Sequence, residues 1–273
     1  MSIAIDGRTR LYVIVGDPIA QVKSPGGLSA ALAAAGHNAV LVPVHVGAQA
    51  LHGLIAGLSL ARNLDGIVAT VPHKLACFGL CRETTARASF LEAVNVMRRR
   101  SDGSWFGDMT DGQGFVAAMR RAGCEPSGKR ALLVGAGGAG SAIALSLLEA
   151  GARELAICEV DTERRSRLIE RLGGHSAAPV LTGTQDPSGF DIVANATPLG
   201  MREGDPLPID VSRLMPTTYV GCVVTAPAVP PLIAAARQRG CRTGTGTDMF
   251  LGQQQIILEF LTGSATAISS GPA

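Results

Sequence analysis

Aromatic residues and net charge are both scarce in this chain of 273 residues. Aromatic side chains make up only 4% of the sequence and charged side chains 17%, whereas hydrophobic residues reach 47%. This composition is more typical of a helix-covered parallel sheet, which is rich in aliphatic residues, than of an aromatic-rich barrel. The formal net charge of +2 is too small to indicate a nucleic acid or an anionic membrane surface as the partner.

Long apolar runs are missing as well. No run approaches the ~18 uninterrupted apolar residues of a membrane-spanning helix. The N-terminal sequence MSIAIDGRTR lacks the apolar core of a signal peptide. We therefore expect a cytoplasmic protein.

The sequence also lacks the patterns of a metal site. Its 6 cysteines form no C-x-x-C pair, and none combines with histidine at the spacing of a zinc site. Cys77 and Cys81 lie four residues apart on an expected helix, where small buried side chains are a simpler interpretation than metal ligands. We therefore assign no metal.

The most informative motif is the stretch ALLVGAGGAGSAIALSLLEAG at residues 131–151. A short apolar run predicts a buried strand, and a G-x-G-x-x-G turn then leads into a run with helical period. Such glycines permit a tight turn, close approach of a pyrophosphate and tight packing of the helix on the strand, while the helix N-terminus attracts phosphates. We interpret the stretch as a dinucleotide-binding turn rather than a plain strand–turn–helix connection.

The next expected strand, residues 154–160, bears on the choice of dinucleotide. Glu159 and Asp161 lie about 20 residues beyond the turn, where a carboxylate accepts hydrogen bonds from both ribose hydroxyls and repels a 2′-phosphate. Arg164 and Arg165 follow within a helical turn and would neutralise that phosphate only by folding back. We therefore expect NAD in preference to NADP. Helix capping by the two carboxylates is the simpler alternative.

Strand-like and helix-like runs alternate along both halves of the chain. This alternation predicts parallel strands with right-handed crossovers, whose ligands gather at the carboxyl ends of the strands, where Ser24 and Lys74 fall. In the first half we expect strands at 10–15, 39–46 and 65–71, helices at 28–36, 49–61 and 75–88, and a short strand pair within 93–108. A linking helix is expected at 112–123, followed beyond the glycine-rich turn by helices at 162–172, 229–239 and 249–261 and strands at 190–194 and 218–224.

Two residues suggest the chemistry. Lys74 follows an expected strand, and a lysine in a partly desolvated cleft has a lowered pKa and exchanges a proton with an alcohol or carbonyl oxygen near neutral pH. Taken alone, Lys74 is more simply a solvated lysine, and Asp111 is equally well a helix N-cap. Beside a dinucleotide site the two indicate hydride transfer, because reduction of a ketone needs a proton donor.

Seven segments resemble, in the same order, the shikimate and quinate dehydrogenase family. They are GDPIAQVKSP, ATVPHK, AVNV, GDMTDGQG, GAGGAGSA, NATPLGM and MFLGQQ. The resemblance covers nearly the whole chain and implies two α/β domains. A mostly parallel substrate-binding domain would comprise residues 1–107 and 246–273, and a Rossmann-type dinucleotide-binding domain residues 108–245.

The resemblance further implies an NAD(P)-dependent dehydrogenase that interconverts a ring hydroxyl of a cyclic hydroxy acid, of shikimate or quinate type, and a ketone. Lys74 and Asp111 would form its acid/base pair. Substrate contacts are implied at Ser24, Thr70, Asn95, Thr225 and Gln253, although a cap, a turn former and a surface helix residue are the simpler roles of Ser24, Asn95 and Gln253. Cofactor contacts are implied at Gly135, Gly137, Gly138, Ala139, Glu159, Asp161, Asn195, Thr197 and Met249.

Three positions depart from the family pattern. Val22 stands where the loop usually has a serine, Thr225 where a tyrosine commonly reaches the substrate carboxylate, and Met109 where asparagine is usual. Loss of two hydroxyls on one substrate group predicts weak binding of shikimate, or an anion held elsewhere by Lys23 or Thr225. NADP-using members commonly have N-R-T at residues 159–161, so the stacking arginine is absent here.

Alternative functions stay open at this point. One is a family member that acts on another ring polyol or an aminated analogue, and another is a nucleotide-binding sensor without turnover, which would need neither Lys74 nor Asp111. Methylenetetrahydrofolate dehydrogenase shares the architecture but lacks the likeness at NATPLGM and TDGQG. We expect a small-molecule substrate, no nucleic acid or membrane partner, and a monomer or homodimer.

Overall fold

The computed structural model describes residues 5–263. They divide into two compact units, residues 5–110 with 254–263 and Asp111–Gln253. The sequence-based boundaries, after 107 and 245, assign the last helix wholly to the first domain, whereas this division falls inside that helix. Within the described chain each unit contains a six-stranded sheet and α-helices, so the predicted α/β fold class is confirmed.

The first unit is built on a mixed sheet. Its strands are β1 Arg10–Gly16, β2 Ala39–His45, β3 Leu64–Ala69, β4 Glu83–Thr84, β5 Val96–Arg99 and β6 Trp105–Asp108. Its helices are α1 Ser24–Ala34, α2 Leu51–Leu58, α3 Lys74–Phe78 and α4 Ala86–Leu91. The strand order is β2-β1-β3-β5-β6-β4, with β1 parallel to β2 and β3, and β5 antiparallel to β3 and β6.

Strand β1, which pairs with β2 and β3, is apolar on both faces, and this fits a sheet covered on both sides. Val13, Ile14 and Val15 are all buried. Val15 pairs with Ala69 of β3, and its carbonyl accepts a hydrogen bond from the backbone N–H of Thr70 at 3.0 Å. The segments that follow β1 and β3 therefore emerge side by side, at what we call the carboxyl edge of the first sheet.

The second unit has a wholly parallel sheet. Its strands are β7 Arg130–Val134, β8 Glu154–Cys158, β9 Val180–Thr182, β10 Ile192–Asn195, β11 Tyr219–Cys222 and β12 Arg242–Gly244. Its helices begin with α5 Asp111–Arg121, α6 Gly138–Glu149, α7 Thr162–Gly173 and α8 Pro231–Gln238, and α9 Gly246–Thr262 extends into the other unit. The order β9-β8-β7-β10-β11-β12 is that of a Rossmann fold, whose direction reverses between β7 and β10.

The helix expected at 75–88 is wrong. α3 ends at Phe78, Glu83–Thr84 pairs with β6, and a new helix begins at Ala86. Gly79 follows the last residue of α3, and Thr85 starts α4 as its N-cap, with an extended backbone (φ −64°, ψ 159°) and a side chain that accepts from the Ala88 N–H. The three-residue strands β9 and β12 were missed because so short a strand carries no detectable alternation.

All six cysteines lie within the described residues and are free thiols. Burial raises the pKa of Cys77 and Cys81 to about 12, so thiolates are rare near neutral pH. No group of three or more His, Cys, Asp or Glu residues within 5–263 is placed to hold a metal ion. None of the helices in that range is both long enough and apolar enough to cross a membrane.

Candidate active site

The loop after β1 is fastened to both neighbouring strands. The Asp17 N–H donates to the Val71 carbonyl at 2.9 Å, and the Asp17 carboxylate lies 2.7 Å from Nε2 of His45, at the end of β2. The loop then leads to Ser24, the first residue of α1. Ser24 is therefore presented at the carboxyl edge of the first sheet, where the sequence predicts it.

Lys74 reaches the same edge from β3. In the turn between β3 and Lys74, the His73 N–H donates to the Thr70 carbonyl at 2.9 Å. The buried His73 ring places its Nε2 2.8 Å from the Val46 carbonyl. Lys74 begins α3, and its carbonyl accepts from the Val94 N–H at 3.0 Å. The buried histidine fixes the turn, so that Thr70 and the half-buried Lys74 share one short segment.

Asn95 joins β5 to the end of the first unit. It is 3% exposed, its Oδ1 accepts from the Thr110 N–H at 2.9 Å, and its Nδ2 donates to Thr110 Oγ1 at 3.0 Å. Its carbonyl accepts from the Ala69 N–H at 2.8 Å. The amide is therefore held in one orientation close to Thr70, which gives Asn95 a structural role beside the predicted contact with a ring hydroxyl.

A buried ion pair supports the segment that leads to Asp111. The Asp108 side chain is 3% exposed and receives Nε of Arg87 at 2.8 Å, with a second contact from Arg87 Nη2. Oγ1 of Thr85 donates to the same carboxylate at 2.5 Å. Asp111 itself is buried at the start of α5. Sequence reasoning missed Arg87 and Thr85, which belong to no motif and meet Asp108 only through the fold.

The glycine-rich turn needs its glycines for three different reasons. Gly135 has φ +97°, which favours glycine, and a Cβ there would lie 2.8 Å from Cγ2 of Thr197. A Cβ at Gly140 would collide with the carbonyl oxygen of Gly135, so α6 packs directly on the turn. At Gly137 a Cβ would meet no atom within 4 Å. Gly137 therefore borders open space at the N-terminus of α6, where a phosphate group fits.

Glu159 and Asp161 are both occupied by backbone groups. Glu159 is 7% exposed, and its carboxylate accepts the N–H of Ala136 at 2.8 Å and the N–H of Asp161 at 3.0 Å. Asp161 caps α7 by accepting the Arg164 N–H at 2.9 Å, and this hydrogen bond lowers the pKa of its carboxyl. The simpler interpretation, capping, therefore describes Asp161, while Glu159 ties the end of β8 to the glycine-rich turn.

Two arginines surround these carboxylates. The Arg164 guanidinium lies 3.7 Å from Glu159 and 3.3 Å from Asp161, and it is half exposed. Nη1 of Arg165 donates to the Glu159 carbonyl at 2.9 Å, and its buried Nε has no hydrogen-bond partner in the described chain. The two negative charges are therefore balanced by two positive charges at the carboxyl end of β8.

Asn195 shapes the loop beyond β10. Its Oδ1 accepts from the N–H and Oγ1 of Thr197 at 3.1 and 2.6 Å, and its Nδ2 donates to the Leu199 carbonyl at 3.4 Å. Because β10 pairs with β7, this loop lies beside the glycine-rich turn, as the close approach of Thr197 to Gly135 also shows. The amide of Asn195 is thus used inside the loop, whereas Thr197 lies beside the glycine-rich turn, and its contact with a cofactor stays a prediction.

The remaining predicted residues lie farther along the second unit. Thr225 follows β11 and is half buried, and Met249 is buried near the start of α9, with Gln253 one turn later on the same helix. That helix starts with a capping box, in which Asp248 accepts from the N–H and hydroxyl of Thr245 at 2.8 and 2.7 Å. Asp248, which the motif-based analysis passed over, thus sets where Met249 and Gln253 lie.

Comparison with known proteins agrees with this arrangement. A family model of the shikimate dehydrogenase substrate binding domain matches residues 14–97. Shikimate dehydrogenase (NADP(+)) of Rubrobacter xylanophilus is 41% identical over 254 residues, which cover 91% of this chain and 89% of that protein. The chain belongs to the shikimate dehydrogenase family. The resemblance seen in the seven motifs is therefore confirmed.

Two further relatives of the shikimate dehydrogenase family agree. Shikimate dehydrogenase (NADP(+)) of Rhodospirillum rubrum is 36% identical over 260 residues, covering 91% of this chain and 90% of that protein. The crystal structure of shikimate 5-dehydrogenase from Listeria monocytogenes, in complex with shikimate and NAD, is 27% identical and has a TM-score of 0.84. It covers 96% of this chain and 95% of that one. The likeness therefore extends over both units.

The expectation of NAD is wrong. The Rubrobacter and Rhodospirillum relatives, and those from Geobacter metallireducens and Moorella thermoacetica, are all named for NADP(+). The structure supplies a physical reason for the error. The Glu159 carboxylate accepts hydrogen bonds from two backbone N–H groups and lies near the Arg164 guanidinium. The local charge therefore does not repel a phosphate as the sequence alone suggests.

The residues at the turn fit a dinucleotide. Gly137 leaves a cradle that a Cβ would fill, the N-terminus of α6 offers backbone N–H groups, and Arg165 offers an unused buried donor. Gly137, Gly138 and Ala139 would hold the pyrophosphate, with Thr197 on the other side of the turn.

Replacement of Gly137 should separate binding from stability. Gly137→Ala places a methyl group in the cradle but touches no protein atom, so we expect at least a tenfold weaker affinity for NADP and a melting temperature within about 2 °C of wild type. Isothermal titration calorimetry and thermal denaturation measure the two. The matched control, Gly140→Ala, meets the Gly135 carbonyl and should lower the melting temperature. Unchanged NADP affinity in Gly137→Ala would exclude this cradle as the pyrophosphate site.

Proposed function

We propose that this protein is an NADP-dependent oxidoreductase that interconverts the ring hydroxyl of shikimate and the corresponding ketone. The observation that carries the proposal is 41% identity, over 91% of the chain, with a protein named shikimate dehydrogenase (NADP(+)). Lys74, Asp111 and the glycine-rich turn all fall within segments that resemble the family. A sensor without turnover would need neither Lys74 nor Asp111.

In this proposal Lys74 and Asp111 form the acid/base pair that transfers the hydroxyl proton. When bound, NADP supplies the acceptor for the hydride that leaves the carbon bearing the hydroxyl. The hydroxyl proton passes to the Lys74 amine, which Asp111 supports as a hydrogen-bonding carboxylate, and in the reverse direction Lys74 returns a proton to the ketone oxygen. Both residues occupy the first turns of helices, α3 and α5, so their backbones are fixed before substrate arrives.

In the first unit, Ser24, Thr70 and Asn95 would contact the substrate, and the family resemblance also implies substrate contacts at Thr225 and Gln253. Thr70 and Asn95 would bind ring hydroxyls, because the first lies beside Lys74 in sequence and the second is oriented by Thr110. Quinate is the second candidate substrate. It is favoured by the likeness to the quinate dehydrogenase of Corynebacterium glutamicum in complex with NAD, which is 30% identical, has a TM-score of 0.81 and covers 93% of this chain and 94% of that one.

Arg164 is proposed as the group that binds the 2′-phosphate of NADP. It is half exposed at the carboxyl end of β8, where the adenosine ribose lies in Rossmann folds. Its partners, Glu159 and Asp161, retain their backbone hydrogen bonds if it turns toward a phosphate, so neither carboxylate is left without a donor. Arg165 would add a second positive charge.

Removal of the lysine should slow turnover strongly while leaving cofactor binding intact. We expect Lys74→Ala to lower kcat by about 10²–10⁴, because proton transfer contributes about that much, with less than a twofold change in the Kd for NADP. Asp111→Asn should act in the same direction. Lys129→Ala, on an exposed lysine, is the control. Near-normal kcat in Lys74→Ala, with circular dichroism unchanged, would contradict the assignment.

Arg164 can be tested through binding alone. We expect Arg164→Ala to weaken NADP at least tenfold, about 1.4 kcal/mol, and NAD less than twofold, because NAD lacks the 2′-phosphate. Arg167→Ala provides the matched control, since Arg167 lies on the same helix but pairs with Glu163 at 2.6 Å. Calorimetric titration gives both constants. An equal loss of affinity for the two cofactors would show that Arg164 does not bind the 2′-phosphate.

A further inference from the structure

Arginines collect at the opposite edge of the first sheet. Arg10 begins β1, Arg62 precedes β3, and Arg98, Arg99 and Arg100 lie at the end of β5, which runs antiparallel to β3. The start of β3 and Lys74 are separated by the length of that strand. Six residues at about 3.3 Å each make this about 20 Å. These arginines therefore belong to a surface distinct from the carboxyl edge.

Two adjoining hollows lie among these arginines in the described chain. They have volumes of about 550 and 410 Å³ and share Arg99, Arg100 and Ser101. Arg98 and Thr262 line the first hollow, and Arg10 and Arg62 line the second. Both volumes fall within the range of small-ligand sites. We call the pair of hollows the arginine basin.

The charge of the arginine basin is not balanced. Arg10 pairs with Asp65 and Arg100 with Glu83, while Asp102 pairs with Arg82. Among residues 5–263 the guanidinium groups of Arg62, Arg98 and Arg99 have no carboxylate partner. Three positive charges therefore remain, although the whole chain carries a formal net charge of only +2.

The guanidinium groups are held in place without being neutralised. Arg98 lies 5.7 Å from the ring centre of Phe106 and 5.5 Å from that of Phe260. Arg99 donates to the carbonyls of Ser59 at 2.5 Å and Ala61 at 2.6 Å, just beyond the C-terminus of α2. Rings and carbonyls fix the guanidinium planes but do not cancel their charge, so an anion meets groups that are already ordered.

We propose that the arginine basin binds a small soluble molecule that carries a phosphate ester or pyrophosphate group. Guanidinium groups bind phosphate oxygens in pairs, and a group with two or more negative charges would balance Arg62, Arg98 and Arg99. The two hollows are small and open to solvent, and the rings of Phe106 and Phe260 stack on each other beneath Arg98, so neither ring is presented to a nucleic-acid base. The proposal stands independently of the reaction.

Pyrophosphate is the probe for the test. It is titrated calorimetrically into the full chain at low ionic strength, with saturating NADP present to keep it away from the glycine-rich turn. We expect one saturable site per chain. Arg98→Gln should weaken binding at least tenfold and Arg62→Gln at least threefold, with NADP affinity unchanged. Arg237→Gln, an exposed arginine of the second unit, should leave both affinities as in wild type.

The variants identify the site whether or not NADP binds. Arg62 is exposed, so Arg62→Gln should leave the fold intact and remains informative if Arg98→Gln fails to fold. Absence of saturable pyrophosphate binding, or equal binding by wild type and both variants, would overturn the proposal. Tighter binding of a 12-nucleotide single strand than of pyrophosphate, lost in the same variants, would replace a small molecule with a nucleic acid.

Discussion

Parallel strand pairing is the constraint on which the carboxyl edge of the first sheet and the glycine-rich turn of the second both depend. Val15 pairs with Ala69 in the first sheet, and Val134 pairs with Asn195 in the second. Each pairing brings two distant segments of the sequence to the same edge. Ser24 and Lys74 follow the first pair, and the glycine-rich turn and the Asn195 loop follow the second. The residues proposed for the chemistry lie in loops, and the aliphatic strands determine where those loops lie.

Several side chains at these edges hold the loops themselves in place. His73, Asn95 and Glu159 each bind backbone groups of a neighbouring segment, and Asn195 binds those of its own loop. Groups that are already ordered lose less conformational freedom when a ligand binds. A residue in a functional motif can therefore serve by positioning a neighbouring segment, and Glu159 is the clearest example here. The Glu159 carboxylate ties the glycine-rich turn to the end of β8. Its negative charge is offset by the nearby guanidinium of Arg164.

The sequence predicted the features that are written locally. A strand, a glycine turn and a helix in succession identify the dinucleotide-binding turn, and the order of seven motifs identifies the family. It failed where distant residues decide the outcome. The helix expected at 75–88 is interrupted because Glu83–Thr84 pairs with β6, and NAD was expected because the hydrogen bond between Glu159 and Ala136 cannot be inferred from spacing. The arginine basin could not be predicted from the sequence either, because its arginines come from three separate strands or loops.

Steady-state kinetics tests most directly whether the protein oxidises shikimate with NADP. The value of kcat/KM is measured for wild-type protein with shikimate and quinate, each with NADP and with NAD, by absorbance of the reduced nicotinamide. We expect shikimate with NADP to give the highest value, at least tenfold above shikimate with NAD. A preference for NAD, or no oxidation of shikimate with either cofactor while quinate is oxidised, would contradict this expectation.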